Sequence, residues 1–160
     1  MHMKIIKATL KDSDIVAKIH STAWKQAYEN VFPVEFIQDD SIAKRKEEFL
    51  ESWNEKEIDY FIIFDEEPVG MMKIKQCEKI CEILSIYLLK QQWNKGFGTQ
   101  AMRYILKTYS FMEIYLWTLE NNVNAQKFYE KLGFSKTGEK RKINRGKEFI
   151  QLKYMYRNLD

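Results

Sequence analysis

The stretch from Ile83 to Thr99 constrains this chain more than any other. An apolar run, Ile83 to Leu89, leads through Trp93-Asn94-Lys95 into Gly96-Phe97-Gly98-Thr99, and a helical pattern begins at once. Strand, glycine turn and helix bring a row of unpaired backbone N–H groups to one point, at the positive end of a helix dipole. Such a turn seats phosphate. Taken alone, it is equally well read as tight packing of a strand against a helix. The dinucleotide fingerprint wants a third glycine and an acidic ribose partner, and position 101 is alanine. The nucleoside-triphosphate loop wants Gly-Lys-Ser/Thr, and Gly98 is followed by Thr99 and Gln100. Spacing rejects both.

The surrounding pattern places that turn within a sheet. Met3 to Thr9 reads as a first strand. Asp12 or Ser13 starts a helix carrying Ile15, Ile19, Ala23 and Ala27, which breaks near Val31-Phe32-Pro33. Asp39-Asp40-Ser41 caps a second helix with Ile42, Phe49, Leu50 and Trp53 as its apolar stripe. Tyr60 to Phe64 and Val69 to Lys75 form a hairpin about Asp65-Glu66-Glu67-Pro68. Cys81 to Leu89 is nearly all apolar, which predicts a central strand. Phe97, Ala101, Ile105 and Tyr109 mark the buried face of the next helix, and Met112 to Thr118 a fifth strand. A helix from about Asn122 ends at Gly133, a left-handed cap. Phe134 to Arg141 and Glu148 to Tyr156 close the chain around Asn144-Arg145-Gly146. The order β-α-α-β-β-β-α-β-α-β-β predicts one α/β domain over residues 1–160, a mixed sheet with helices on its faces.

Composition narrows the partners. A net charge of +3 permits an anionic ligand without requiring nucleic acid. No apolar run approaches the roughly 18 residues of a membrane span and no secretory signal opens the chain, so a cytoplasmic protein with no membrane partner is expected. Cys77 and Cys81 are the only cysteines, without His, Asp or Glu companions at ligand spacing. Free thiols and no metal are expected. Aromatics make up 14% of the chain and predict large buried contacts or a lined pocket.

A second motif is more specific. Asn122-Val123-Asn124-Ala125-Gln126-Lys127-Phe128-Tyr129-Glu130-Lys131-Leu132-Gly133-Phe134 resembles the run that follows the fifth strand in the GNAT superfamily of N-acetyltransferases. Gly96 and Gly98 are similar to that family's pyrophosphate loop, in the family's order and at about its usual distance from the second motif. Trp24-x-x-Ala27-Tyr28-x-x-x-Phe32-Pro33 resembles the substrate-side helix of many small bacterial members. The resemblance implies the family fold: a mostly antiparallel twisted sheet of about seven strands with helices on both faces. One position departs. Where the family usually carries Gln or Arg, three before Gly96, this chain has Trp93. The cradle is built from backbone N–H groups, so a changed side chain need not destroy it.

The resemblance implies acetyl-CoA as cofactor and a small-molecule or peptide amine as acceptor. Backbone groups of Ile86, Tyr87 and Leu88 would pair with the pantetheine arm, the Leu88 N–H serving as oxyanion donor. Asn94, Lys95, Gly96, Phe97, Gly98 and Thr99 would hold the pyrophosphate. Asn122 and Asn124 would bond near the pantetheine, and Lys131 falls within the same cofactor-side motif. An amine at the reference lysine pKa is neutral in only about one molecule in 2,500 at pH 7, so transfer needs a base as well as an acid for the leaving thiolate. Tyr129 sits at the family's acid position and Glu82 where several members carry the base. Where other members carry a fifth-strand glutamate this chain has Trp117, leaving Glu120 and Glu29 as reserve bases. Trp24 and Tyr28, with Phe32, are candidate acceptor walls, since aromatic faces suit a cationic amine, and read equally well as core of the first helix pair.

Three features have plainer readings. His20 reads as structural. The basic hairpin of Lys140-Arg141-Lys142 with Arg145 and Lys147 reads as solvated surface, or as an anchor for the CoA 3′-phosphate or an acidic acceptor. Trp93 and Trp117 favour an alternative function, an acyl-CoA-binding regulatory module without catalysis. Nucleic-acid binding through the hairpin would demand steeply salt-dependent affinity and is not expected at this net charge. The family often forms dimers, so a homodimer is one assembly open to the chain.

Overall fold

The pair of strands Ile80–Leu88 and Glu113–Leu119 organises the rest of the molecule. In the structure, a computed structural model describing residues 3–157, seven strands form one sheet in the order β1-β2-β3-β4-β5-β7-β6. They are β1 Met3–Lys7, β2 Ile58–Asp65, β3 Glu67–Cys77, β4 Ile80–Leu88, β5 Glu113–Leu119, β6 Phe134–Asn144 and β7 Glu148–Tyr156. Only β4 and β5 run parallel, because a helical crossover joins them; the other neighbours are antiparallel. The parallel ladder is short, ending at Ile83 opposite Leu116. Just beyond it β4 bulges: Ile83 pairs with Ile74 and Ser85 with Lys73, leaving Leu84 extra. β4 continues along β3 to Leu88 while β5 leaves along β7. The sheet splits into a wedge.

Helices cover both faces, as the sequence implies. α1 Ser13–Tyr28 and α3 Ile42–Trp53 lie on one face, where Val16, Ile19 and Phe49 pack on Tyr60, Ile62 and Met71. α4 Phe97–Thr108 and α5 Val123–Leu132 cover the other, with Ala101, Met102 and Ile105 against Ile74, Cys81 and Ile114. The expected α4 face of Phe97, Ala101, Ile105 and Tyr109 is buried throughout. Gly133 ends α5 at φ 107 as a left-handed cap.

Some details differ from the sequence reading, and one is Ile15, expected on the apolar stripe of α1 but 40% exposed. A further short helix, α2 Val34–Asp39, fills the stretch after Pro33. On α3 only Phe49 and Ser52 are buried, whereas Ile42, Leu50 and Trp53 are 40–47% exposed. Charge explains this. The α3 flank toward α1 carries Arg45 and Glu48, so the helix docks through polar pairs as much as through apolar burial.

α1 also sets His20 against β4. The ring is 3% exposed, stacked 5.8 Å from Tyr87, with Nδ1 3.6 Å from Glu48 Oε2. Burial, followed by the nearby Arg45 and Lys73, lowers its pKa from 6.5 to about 2. The ring is therefore neutral, and the Glu48 approach is a dipolar contact rather than an ion pair.

Two stability predictions follow from this packing. A Cβ on Gly70 would lie 2.7 Å from both the Tyr87 carbonyl oxygen and Leu88 Cδ2. Gly70→Ala is expected to lower stability by about 1–3 kcal/mol, read by thermal unfolding. The unfolded chain protonates His20 near 6.5 and the native chain does not until about 2, so stability is lost as pH falls through that window. His20→Gln should flatten the acid slope by about 1.4 kcal/mol per pH unit below 6.5, measured by denaturant titration at several pH values.

Candidate active site

The wedge supplies an unpaired strand edge. Past Ile83, β4 has no ladder partner on the β5 side. The Leu89 N–H donates to the Val69 carbonyl on β3 at 2.9 Å. Strand alternation therefore turns the N–H and carbonyl of Leu88, and those of Ile86 before it, toward the wedge. The Trp93 indole N–H donates to the Leu88 carbonyl at 2.9 Å. This residue, the departure noted in the sequence, ties the glycine turn to the end of the strand.

The turn itself follows a single 3-10 turn, Lys90–Gln92, and enters α4 through two left-handed residues, Asn94 at φ 62 and Gly96 at φ 87. Glycine is needed at 96 for that backbone angle, since an added Cβ there would meet nothing within 4 Å. The first bond of α4 runs from the Gln100 N–H to the Gly96 carbonyl at 3.1 Å. The N–H groups of Phe97, Gly98 and Thr99 precede it and have no intrahelical acceptor. Gly96, Gly98 and Thr99, at this positive end of the helix dipole, border a cavity of about 1170 Å³.

Most of the sequence-predicted residues border that cavity. Ile86, Tyr87, Leu88, Asn94, Gly96, Gly98 and Thr99 form the β4 and turn side. Asn122 and Asn124 border it at the start of α5. The Asn122 side-chain oxygen accepts the Ala125 N–H at 3.0 Å and so caps that helix. Lys95 and Lys131 are exposed outside the lining, and the Phe97 side chain is buried, leaving only its backbone at the turn.

Tyr129 enters from α5, half-buried and edge-on to Phe128 and Phe134 at 5.3 and 5.9 Å. Burial pushes its pKa up, with a smaller push from Tyr28. The Tyr28 and Tyr87 hydroxyls stand 3.4 Å apart, and burial raises both of those phenols too. Glu82 borders the same cavity from β4 and accepts the Tyr115 hydroxyl at 2.9 Å. Burial and then Glu82 raise the Tyr115 pKa to about 12, so the phenol stays a donor. Neither reserve base reaches the cavity: Glu29 pairs with Lys90 at 3.6 Å and Glu120 with Lys140 at 3.0 Å.

Aromatic rings build the facing wall. Tyr28 stacks on Phe32 at 4.5 Å, and Trp24 lies within 6 Å of Tyr28, Phe32 and Phe36. Sequence reasoning missed the charges behind them. Asp40 accepts the Ser21 hydroxyl at 2.6 Å and lies 2.7 Å from Arg45 Nε, while the Arg45 guanidinium covers Trp24 at 5.2 Å. The i,i+3 pair of Arg45 and Glu48 was the available signal, hidden within a run of charges that reads as solvated surface.

A family-wide profile described as "Acetyltransferase (GNAT) family" matches residues 18–134. The uncharacterized N-acetyltransferase YuaI of Bacillus subtilis is 23% identical over 128 residues, 72% of this chain and 71% of that one. Spermidine N(1)-acetyltransferase of Thermoplasma acidophilum is 24% identical over 143 residues, 84% of this chain and 89% of that one. The crystal structure of PaiA N-acetyltransferase from Thermoplasma acidophilum in complex with coenzyme A shares the fold. Its TM-score is 0.72 at 22% identity, over 99% of this chain and 100% of that one. The split sheet, the glycine turn and the matched profile together make this chain a member of the GNAT family of acetyl-CoA-dependent acetyltransferases.

Proposed function

We propose that the chain, acting as one domain, acetylates a primary amine of a small molecule or peptide by direct attack, with Tyr129 as general acid and Glu82 as general base. The observation that carries this reading is the wedge, with Glu82 and Tyr129 bordering one cavity beside an unpaired strand edge. That cavity fits coenzyme A. The N–H groups of Phe97, Gly98 and Thr99 suit a pyrophosphate, and the β4 edge from Ile86 to Leu88 suits an amide-bearing arm. Bound acetyl-CoA supplies an activated acetyl thioester.

The residues then divide the work. Glu82 takes a proton from the acceptor ammonium, and the freed amine attacks the acetyl carbon. The Leu88 N–H faces the wedge and stabilises the charge developing on the carbonyl oxygen. As the new C–N bond forms and the C–S bond breaks, Tyr129 gives its phenolic proton to the departing sulfur, and its phenolate takes up the proton that the acceptor nitrogen loses on becoming an amide. Its raised pKa leaves the phenol protonated at neutral pH, so the proton is present to be given. Polyamines enter the acceptor panel because the Thermoplasma acidophilum relative is a spermidine acetyltransferase. No described helix is long and apolar enough to cross a membrane, and both cysteines are free, which supports a reducing compartment such as the cytoplasm.

Thiol release from acetyl-CoA against an amine panel tests the assignment. Tyr129→Phe should lower kcat by about 10²-fold or more while acetyl-CoA still binds. Unchanged kcat would remove Tyr129 from the mechanism. The wild-type alkaline limb from this phenol should lie above its ordinary value of 10, and Tyr129→Phe should abolish it. Glu82→Gln should cost about 10²-fold in kcat/KM for the amine at pH 7. That deficit should narrow as pH approaches the amine's own pKa, where the acceptor deprotonates without help.

A further inference from the structure

Charges around the cavity are only partly paired, and the unpaired ones form a pattern. Four carboxylates border it: Asp39, Asp40, Glu48 and Glu82. Asp39 accepts from Lys44 Nζ at 2.8 Å, Asp40 meets Arg45 at 2.7 Å, and Glu48 meets Arg45 at 3.4 Å and Lys73 at 3.8 Å. Glu82 alone makes no ion pair among the described residues, its partner being the neutral Tyr115 hydroxyl. Lys44 and Arg45 are spent in those pairs. Two cavity cations remain, Arg141 and Arg145, and neither meets a carboxylate among the described residues.

Both arginines are held in place by other means. Arg141 donates from Nε to the Gln151 side-chain oxygen at 2.7 Å, and its guanidinium stacks on Trp117 at 4.2 Å. Its two terminal nitrogens stay available as a fork. Arg145 donates from Nη1 to the Asn144 carbonyl at 2.9 Å. Its turn is pressed on the aromatic wall, for a Cβ at Gly146 would lie 2.9 Å from Phe36 Cβ and Pro33 Cγ. Arg145 thereby reaches Tyr28, whose phenol feels its charge.

Register along β5 relates these cations to Glu82. Tyr115, the partner of Glu82, and Trp117, the platform of Arg141, are two positions apart on one strand and share a face, roughly 7 Å from each other. Lys153 crosses that face but is engaged by Glu139 at 3.1 Å. An unpaired carboxylate and an unpaired guanidinium thus engage neighbouring side chains, Tyr115 and Trp117, on one face of β5, with a second guanidinium at the hairpin tip.

We propose that the acceptor is a zwitterion, an amino acid or short peptide whose ammonium meets Glu82 and whose carboxylate meets Arg141 and Arg145. This rests on the proposed reading of Glu82 as the base and narrows its substrate class. The aromatic wall would take the acceptor's apolar body. Polyamines would leave both guanidiniums without a partner and set like charge against like.

Matched acceptors test it: L-phenylalanine against phenethylamine and L-lysine against cadaverine, with spermidine alongside, each at equal concentration of unprotonated amine. The carboxylated member of each pair should show roughly tenfold or greater kcat/KM. The Arg141→Gln/Arg145→Gln double variant should erase that preference, bringing each pair to within about twofold through a rise in acceptor KM. The corresponding lysine variant should keep part of it. Equal use of both members, or preference for spermidine, overturns the proposal while leaving acetyl transfer intact. A rise in the KM of acetyl-CoA in the variant also overturns it, by assigning the arginines to the cofactor's phosphates. Absence of turnover with every amine overturns the Glu82 and Tyr129 assignment, and the proposal with it.

Discussion

A parallel ladder that stops at Ile83 and Leu116 is the constraint on which the rest of this structure depends. Sheets are normally closed by continuous pairing, because an unpaired N–H or carbonyl away from water is costly. Here the Leu84 bulge re-aims β4 at the point where β5 departs toward β7. The interior of the sheet thus exposes strand edge to a cavity instead of to bulk solvent. Backbone donors that would otherwise complete a ladder are left for a ligand, and α4 delivers a second set from its first turn.

Around this opening the two faces of the sheet have different tasks. The α4–α5 face is a conventional apolar core, from Ile74 and Cys81 through Ala101 and Ile105. The α1–α3 face mixes Phe49 and Val16 with His20, Arg45, Asp40 and Glu48. Burial pushes His20, Tyr28 and Tyr87 alike toward the neutral form: His20 goes down, and Tyr28 and Tyr87 go up. The cavity wall consequently carries neutral rings between a few fixed charges.

Much of this was legible in the residues, for physical reasons that differ by element. The α4 stripe of Phe97, Ala101, Ile105 and Tyr109 could be read because one side of a helix faces one core. The central place of β4 could be read because its sequence is nearly continuous in apolar residues, although Ile80 and Leu84 stay exposed. Charge pairing could not be read. Asp40, Arg45 and Glu48 resemble any solvated run until α3 docks on α1, and the exposed Ile42 and Trp53 resemble a stripe until it does. The Trp93 indole bond was equally hidden, since it joins a turn to a carbonyl whose direction only the sheet determines.

Leu88 gathers several of these features at one residue. Its neighbour Leu89 is bonded to Val69, its carbonyl takes the Trp93 indole, and its side chain fills the space that Gly70 leaves open. Three distant sequence positions are thereby read out at a single peptide unit. Substitutions at 70, 88 and 93 will not combine as independent increments, because each alters the frame in which the others act. The indole bond of Trp93 therefore depends on a strand that holds the Leu88 carbonyl toward the turn.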